Sequence, residues 1–263
     1  MKELRFVINK KCNFDCYFCH QEFFTTQADF DLSLDDYLFI YNSLRQAKQV
    51  NQLVTLTGGE PTLKRDLITL LAKLHKQGAL LTLVSNGSNK EKIIKSLPYI
   101  DELHISLHGY NKTDFFRVTG VRNWFQKVIE TLLEISKYVG ESQLFLNIVI
   151  LEINSTKEKL LQLLSLLKMM KAPVQIQFLI EFIPKNCKDL LSYPAEALIN
   201  NLKDLGGEII TASSSKTTVK IGPHRAHILS KCKGNIMSAY FINNHGYAFL
   251  DKTGVCQASC RLN

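Results

Sequence analysis

Strand-like and helix-like runs alternate along the first two-thirds of the chain, and no other feature narrows its fold so far. Apolar runs of strand length fall at 4–8, 53–56, 79–84, 102–107, 144–151 and 174–180. Segments of helical periodicity lie between them, at 33–46, 63–76, 90–96, 124–138 and 155–170. Ser33 before Asp36, and Ser155 before Glu158, have the spacing of a helix capping box. A strand that returns to its sheet through a helix runs parallel to its predecessor, so this repeat builds βαβ units. About six units are present, short of the eight in a closed barrel. The pattern predicts an α/β fold, a partial (β/α)6 TIM-type barrel with an open side that something must cover. After Pro184 the pattern changes. A helix is expected over 194–205, ended by Gly206-Gly207. Short runs at 217–221, 236–242 and 247–250 then read as a small C-terminal β-rich tail. The expected division is a barrel over 1–184 and a tail with its leading helix over 185–263.

Of 263 residues, 46% are hydrophobic and 21% charged, which excludes a disordered, collagen-like or coiled-coil chain. No apolar run approaches the ~20 residues of a membrane span. The longest candidate, 144–153, carries Asn147 and Glu152 and reads as a buried strand. The first apolar run is too short for a signal-peptide core. The chain is expected to be soluble and cytoplasmic, with no membrane partner. Its net charge of +8 is dispersed, without an Arg/Lys run or a nucleic-acid-binding motif, so no nucleic-acid partner is expected. Such a balance suits a solvated surface or a site for an anionic small molecule, for which Arg117, Arg122 and Lys220 are candidates.

The seven cysteines are unevenly placed: Cys12, Cys16 and Cys19 fall close together, while Cys187, Cys232, Cys256 and Cys260 lie in the last third. An odd count in an unexported chain argues against a disulfide framework and toward metal or cluster ligation. The first three form a CxxxCxxC loop directly after the first strand. A structural zinc site takes four protein ligands, commonly as two CxxC pairs, and no second pair is near. A [4Fe–4S] cluster normally takes four cysteines, so three would leave one iron open to substrate or cofactor. An open iron points to chemistry rather than to electron storage alone.

This loop, with Phe18 before its third cysteine, resembles the signature of the radical S-adenosylmethionine (SAM) enzymes. Thr57-Gly58-Gly59-Glu60-Pro61 is similar to that family's GGEP motif. Ser85-Asn86-Gly87 ends the third strand, Ser106-Leu107-His108-Gly109 the fourth, and Ile180-Glu181 the sixth, while Asn147 lies in the fifth. The resemblance covers about residues 4–184. It implies that Cys12, Cys16 and Cys19 hold a [4Fe–4S] cluster. It also implies that Phe18, Gly58, Gly59, Glu60, Pro61, Ser85, Asn86, Ser106, His108, Asn147 and Ile180 contact SAM, with Glu60 receiving its ammonium group. The reaction implied is reductive cleavage of SAM to a 5′-deoxyadenosyl radical, which takes a hydrogen from substrate, with a one-electron reductant such as flavodoxin or ferredoxin as partner.

Within the family, the run ISLHG…F…VTG from Ser106 to Gly120 and the Phe182-Ile183-Pro184 end of the sixth unit resemble the molybdenum-cofactor GTP cyclase-like, auxiliary-cluster branch. That branch carries a second cluster in its tail. Cys232, Cys256 and Cys260 are either the ligands of such a cluster here or unligated thiols, and Cys187 reads as a small buried hydrophobe. The tail lacks that branch's CxxC pair, and Lys11 stands where the cyclase has an arginine. The expected substrate is therefore a small molecule, anionic or nucleotide-like, rather than GTP itself. A peptide-modifying maturase with a peptide substrate and a glycyl-radical-enzyme activase are the alternatives. A non-enzymatic iron–sulfur electron-transfer module is the alternative of a different class.

Overall fold

Alternation with period two decides which face of each strand meets the helices. In β4 (Glu102–Ser106) Leu103 and Ile105 are buried, as are Leu144, Leu146 and Ile148 of β5 (Leu144–Val149) and Ile176 and Phe178 of β6 (Gln175–Leu179). They join one core with Leu70 and Leu74 of α2 (Leu67–Lys76), Val128 and Leu132 of α5 (Phe125–Ile135) and Leu160 and Leu163 of α7 (Lys157–Leu167). The opposite face of the same strands carries Glu102, His104, Ser106, Asn147, Gln175 and Gln177. One face is therefore packed and apolar, and the other is a hydrogen-bonding surface.

The computed structural model describes residues 2–19, 32–48, 50–140, 142–179, 193–213, 216–229 and 239–242. β1 (Lys2–Val7), β2 (Val50–Thr57), β3 (Leu80–Ser85), β4, β5 and β6 lie side by side in chain order and all parallel. α1 (Leu34–Gln46), α2, α3 (Lys90–Ser96), α5 and α7 return the chain between them. This is the parallel sheet of a partial TIM-type barrel. It is open, with β10 (Ala239–Ile242) and β7 (Glu208–Ala212) at its two ends. Among the described residues no helix is long and apolar enough to cross a membrane.

The segment after Pro194 starts with α8 (Ala195–Asp204), whose end at Leu205 is followed by Gly206 at φ +87°. The strands that follow extend the same sheet. β9 (His224–Leu229) pairs parallel with β6, β8 (Lys216–Ile221) pairs antiparallel with β9, and β7 with β8. β10 pairs parallel with β1, at the other end. The run at 217–221 is thus β8, the run at 236–242 is described only as β10, and the run at 247–250 lies outside the described residues. β7 and β9 were not legible as strands.

Two local expectations part company. Ser33 forms its capping box, accepting from the Asp36 amide while Asp36 accepts from the Ser33 amide. Ser155 does not. It closes the short α6 (Glu152–Ser155), and Thr156, with extended backbone, caps α7 by accepting from the Lys159 amide. One further helix, α4 (Lys112–Thr119), lies between β4 and α5.

Candidate active site

The cysteine loop leaves the C-terminal end of β1 and is held to the end of β2 by backbone. The Gly59 amide donates to the Asn9 carbonyl at 2.9 Å, the Glu60 amide to the Lys11 carbonyl at 2.8 Å, and Asn9 Nδ2 to the Glu60 carbonyl at 2.7 Å. A Cβ on Gly59 would lie 2.3 Å from the Lys11 carbonyl oxygen, and one on Gly58, at φ +135°, 2.5 Å from that of Asn9. The close approach these glycines allow is therefore to the cysteine loop itself.

Glu60 is 1% exposed and its carboxylate is already crowded with donors. The Thr62 amide (3.0 Å), Thr62 Oγ1 (2.6 Å) and Ser85 Oγ (2.8 Å) donate to one oxygen, and the Asn86 amide (2.7 Å) donates to the other. Burial raises its pKa in spite of these four bonds. The side chain so placed braces the ends of β2 and β3. Pro61 opens the adjoining 3-10 turn. Next to it, Asn9 Oδ1 is buried without a hydrogen-bond donor.

Cys12 and Cys19 are exposed, and Cys16 is half-buried. The Phe14 amide reaches Cys12 Sγ at 3.4 Å and Asn86 Nδ2 reaches it at 3.8 Å, while the same Nδ2 donates to Asn13 Oδ1 at 2.8 Å. Asn13 Nδ2 in turn donates to Ser88 Oγ at 3.0 Å, so the end of β3 fixes the loop between its first two cysteines. Burial pushes the Cys16 thiol up, and the neighbouring Cys19, Cys12 and Asp15 push it further. Burial raises Cys12 as well. Thiolates packed this closely repel one another, and a bound cationic centre removes that penalty. Phe18 rests edge-on against His108, with centroids 4.6 Å apart. His108 is 5% exposed and its Nδ1 accepts from the Val149 amide at 3.2 Å. Burial alone drops its pKa to about 3, so it is a neutral ring under the loop.

Ser106 and Asn147 stand on the concave face, directly opposite each other in register. The row continues from Asn147 to Gln177, from Gln177 to His227 and from His227 to Thr218. Strands ~4.8 Å apart make this a hydrogen-bonding strip about 19 Å long. His104 Nδ1 lies 3.2 Å from Asn147 Oδ1, and His104 Nε2 lies 3.0 Å from Glu102 Oε2, which fixes the Asn147 amide. Gln177, His227 and the anchoring Asn9, Asn13 and Ser88 were missed in the sequence. The strand residues could have been found by extending the alternation of β4 to β6. Ile180 and the tail cysteines Cys187, Cys232, Cys256 and Cys260 lie outside the described residues.

Residues 6–167 match the Radical SAM superfamily. The chain belongs to this family. It is 31% identical over 215 residues to a probable GTP 3′,8-cyclase of Pyrobaculum aerophilum, covering 79% of this chain and 67% of that one. It is 35% identical over 134 residues to a probable GTP 3′,8-cyclase of Saccharolobus solfataricus, covering 49% and 42%. The chain thus spans from about two-fifths to about two-thirds of the length of these curated relatives. Among solved structures, Streptococcus suis SuiB bound to S-adenosylmethionine superposes with a TM-score of 0.60 at 19% identity, over 78% of this chain and 46% of that one.

The family implies SAM and a [4Fe–4S] cluster, and the residues present fit both. The loop offers three sulfur donors, the donor type such a cluster takes. Among the described residues no three His, Cys, Asp or Glu side chains converge on a single metal ion. A cluster carries its thiolates on separate irons and needs no such convergence. The buried, donorless Asn9 Oδ1 beside the Gly58–Glu60 turn is an acceptor of the kind an ammonium group fills.

Proposed function

We propose that this chain is a radical SAM enzyme acting on a small, anionic or nucleotide-like substrate. The observation that carries the reading is the meeting of Cys12, Cys16 and Cys19 with the Gly58–Pro61 turn and the Ser85–Asn86 strand end at one end of the parallel sheet. When bound, the cluster and SAM supply a one-electron cleavage whose 5′-deoxyadenosyl radical takes hydrogen from substrate. The chain's own residues supply position. Cys12, Cys16 and Cys19 hold three corners and leave the fourth open. Gly58, Gly59 and Pro61 shape the wall against which the methionine end of SAM lies, with Asn9 Oδ1 as the acceptor for its ammonium. Glu60 acts one step removed, by fixing that wall, with Ser85 and Asn86 locked to it.

Ser106 and Asn147 meet the nucleoside end, Phe18 and His108 close the floor beneath it, and Ile180 completes the set. Substrate lies further along the same strip, on Gln177. The names of the relatives support a nucleotide-like ligand. Arg225 and Lys220, directly opposite each other on β9 and β8, support a negative charge on it. Cys232, Cys256 and Cys260 are the proposed holders of a second cluster in the tail.

Anaerobic reconstitution followed by iron and sulfide counting tests the assignment. About four irons per chain indicate one cluster and about eight indicate two. Cys12→Ala, Cys16→Ala and Cys19→Ala should each remove one cluster's iron and all SAM cleavage while the circular dichroism of the fold persists. A single one of these variants that keeps full iron and cleaves SAM overturns the reading.

A further inference from the structure

On its outer side the cysteine loop rests on α4. The Asp15 amide donates to the Thr119 carbonyl at 3.0 Å and the Tyr17 amide to the Val118 carbonyl at 3.1 Å, so the C-terminal turn of α4 is part of the loop's bed. Beyond it, between α4 and α5, opens a cleft of about 530 Å³ lined by Lys112, Phe115, Phe116, Arg122, Phe125 and Gln126. Nothing in the proposed reaction uses it, since the concave face of the sheet is elsewhere.

Two features set this cleft apart. The first is a chain of rings. Phe14, between Cys12 and Cys16, packs edge-on against Phe115 and Trp124, each at 5.8 Å, and Phe115 packs against Phe125 at 5.7 Å. Phe115 and Phe125 line the cleft, so its wall stands one to two ring contacts from the cysteine loop. The second is charge. From Lys112 to Glu130 the exposed charges are Lys112, Arg117, Arg122 and Lys127, four positive, against one negative, Glu130, which accepts from Gln126 at 3.3 Å. The other acid in that stretch, Asp114, is buried and taken by Lys159 at 2.5 Å and Asn111 at 2.6 Å. Arg122 lies over the Phe116 ring at 4.4 Å and Lys127 over Trp124 at 4.6 Å, and both residues are exposed.

We propose that this cleft is the docking surface for an acidic one-electron donor protein. Its basic rim steers and orients a partner of opposite charge. Its lining, three phenylalanines among polar and basic residues, suits the transient, low-area contacts typical of electron-transfer partners. Its back wall adjoins the loop whose cluster must be reduced. In the step served, the donor gives up one electron and the cluster takes it up, and no bond or proton changes place. The inference rests on the radical SAM reading above.

The test uses the reconstituted full chain and the double variant Lys112→Glu/Arg122→Glu. Reduced flavodoxin and reduced ferredoxin serve as protein donors, and dithionite as a small donor that needs no docking surface. Affinity is read by calorimetric titration of each oxidised donor, and cluster reduction by stopped-flow absorbance. The wild-type chain should bind at least one protein donor, more weakly as salt is raised from ~50 to ~300 mM. The double variant should weaken that binding and slow the protein-driven reduction about tenfold or more, while dithionite-driven reduction and SAM cleavage stay unchanged. Unaltered donor binding in the variant overturns the proposal. So does an equal loss with dithionite, which would make the cleft structural, and so does displacement of the donor by inorganic pyrophosphate, which would make it a small-anion site. Absence of SAM cleavage with dithionite in the wild type would instead overturn the reading on which the inference rests.

Discussion

Glu60, expected from the sequence to receive an ammonium group, is in the fold a buried carboxylate that already accepts four hydrogen bonds. Two of its donors come from Thr62 in the 3-10 turn after β2 and two from Ser85 and Asn86 at the end of β3. Burial nevertheless lifts its pKa above the ordinary 4.5, so desolvation outweighs the donors and the charged form is the strained one. A carboxyl whose folded pKa is raised contributes stability below its unfolded pKa, and that contribution is lost as pH rises through the folded value. Glu60→Gln stays neutral at every pH, but its amide nitrogen must face one of the N–H donors. That mismatch should cost about 1–3 kcal/mol. Denaturant titration should show the gap between wild type and Glu60→Gln narrowing as pH is raised above the ordinary carboxylate range, because only the wild type loses stability as its buried carboxyl ionises. A gap that widens with pH would mean the four donors outweigh burial after all.

At the scale of elements, the order of β1 to β6 and of the returning helices was legible, because period-two and period-3.6 patterns are local and strong there. α4 was not. Its sequence, Lys112 to Thr119, is short, ends in β-branched Val118 and Thr119, and carries too few apolar positions to show a period. Its boundary signals were present, with Asn111 accepting from the Asp114 amide at one end and Gly120 at φ +71° at the other. Packing on the cysteine loop does the rest. A Cβ on Gly120 would lie 2.6 Å from the Asp15 carbonyl oxygen, so this glycine sets the spacing between helix end and loop. Gly120→Ala should therefore cost ~1 kcal/mol for the left-handed backbone and should also push the loop away from α4. The expected outcome is reconstituted iron well below wild type in a chain that melts only slightly earlier. Full iron loading with a normal melt would show that the loop does not depend on this contact.

At the scale of the whole molecule, what escaped the sequence is the pairing of distant strands. Nothing local in 224–229 or 239–242 says that one lies parallel to β6 and the other to β1, because such pairings answer to the two open ends of a sheet built far upstream. The join at the first end has a chemical clasp. His227 Nε2 lies 2.8 Å from Gln175 Oε1 of β6, and its Nδ1 lies 3.1 Å from Thr218 Oγ1 of β8. The amide oxygen only accepts, so Nε2 carries a proton, and in the neutral ring Nδ1 accepts from the threonine hydroxyl. Burial, with Lys216 and Arg225 adding to it, lowers the ring's pKa from 6.5 to about 4. His224, also lowered by burial, accepts from the Val174 amide at 3.1 Å through Nδ1 and ties the start of β9 to the entry of β6. For a base whose folded pKa is lowered, the stabilisation is complete above the unfolded value and drains away as pH falls from about 6.5 toward 4. Acid should thus loosen β7, β8 and β9 from β6 before it disturbs β1 to β3, which hold no histidine, while His108 makes the β4–β5 end acid-sensitive as well. Hydrogen exchange at pH 7 and pH 5, corrected for the intrinsic rate, should show protection in 216–229 falling while 53–57 and 80–85 hold. His227→Gln, which cannot gain the proton, should start less protected in 216–229 at pH 7 and change less on acidification. Uniform loss of protection across the sheet, in wild type and variant alike, would show that the ring is not what joins the late strands to the barrel.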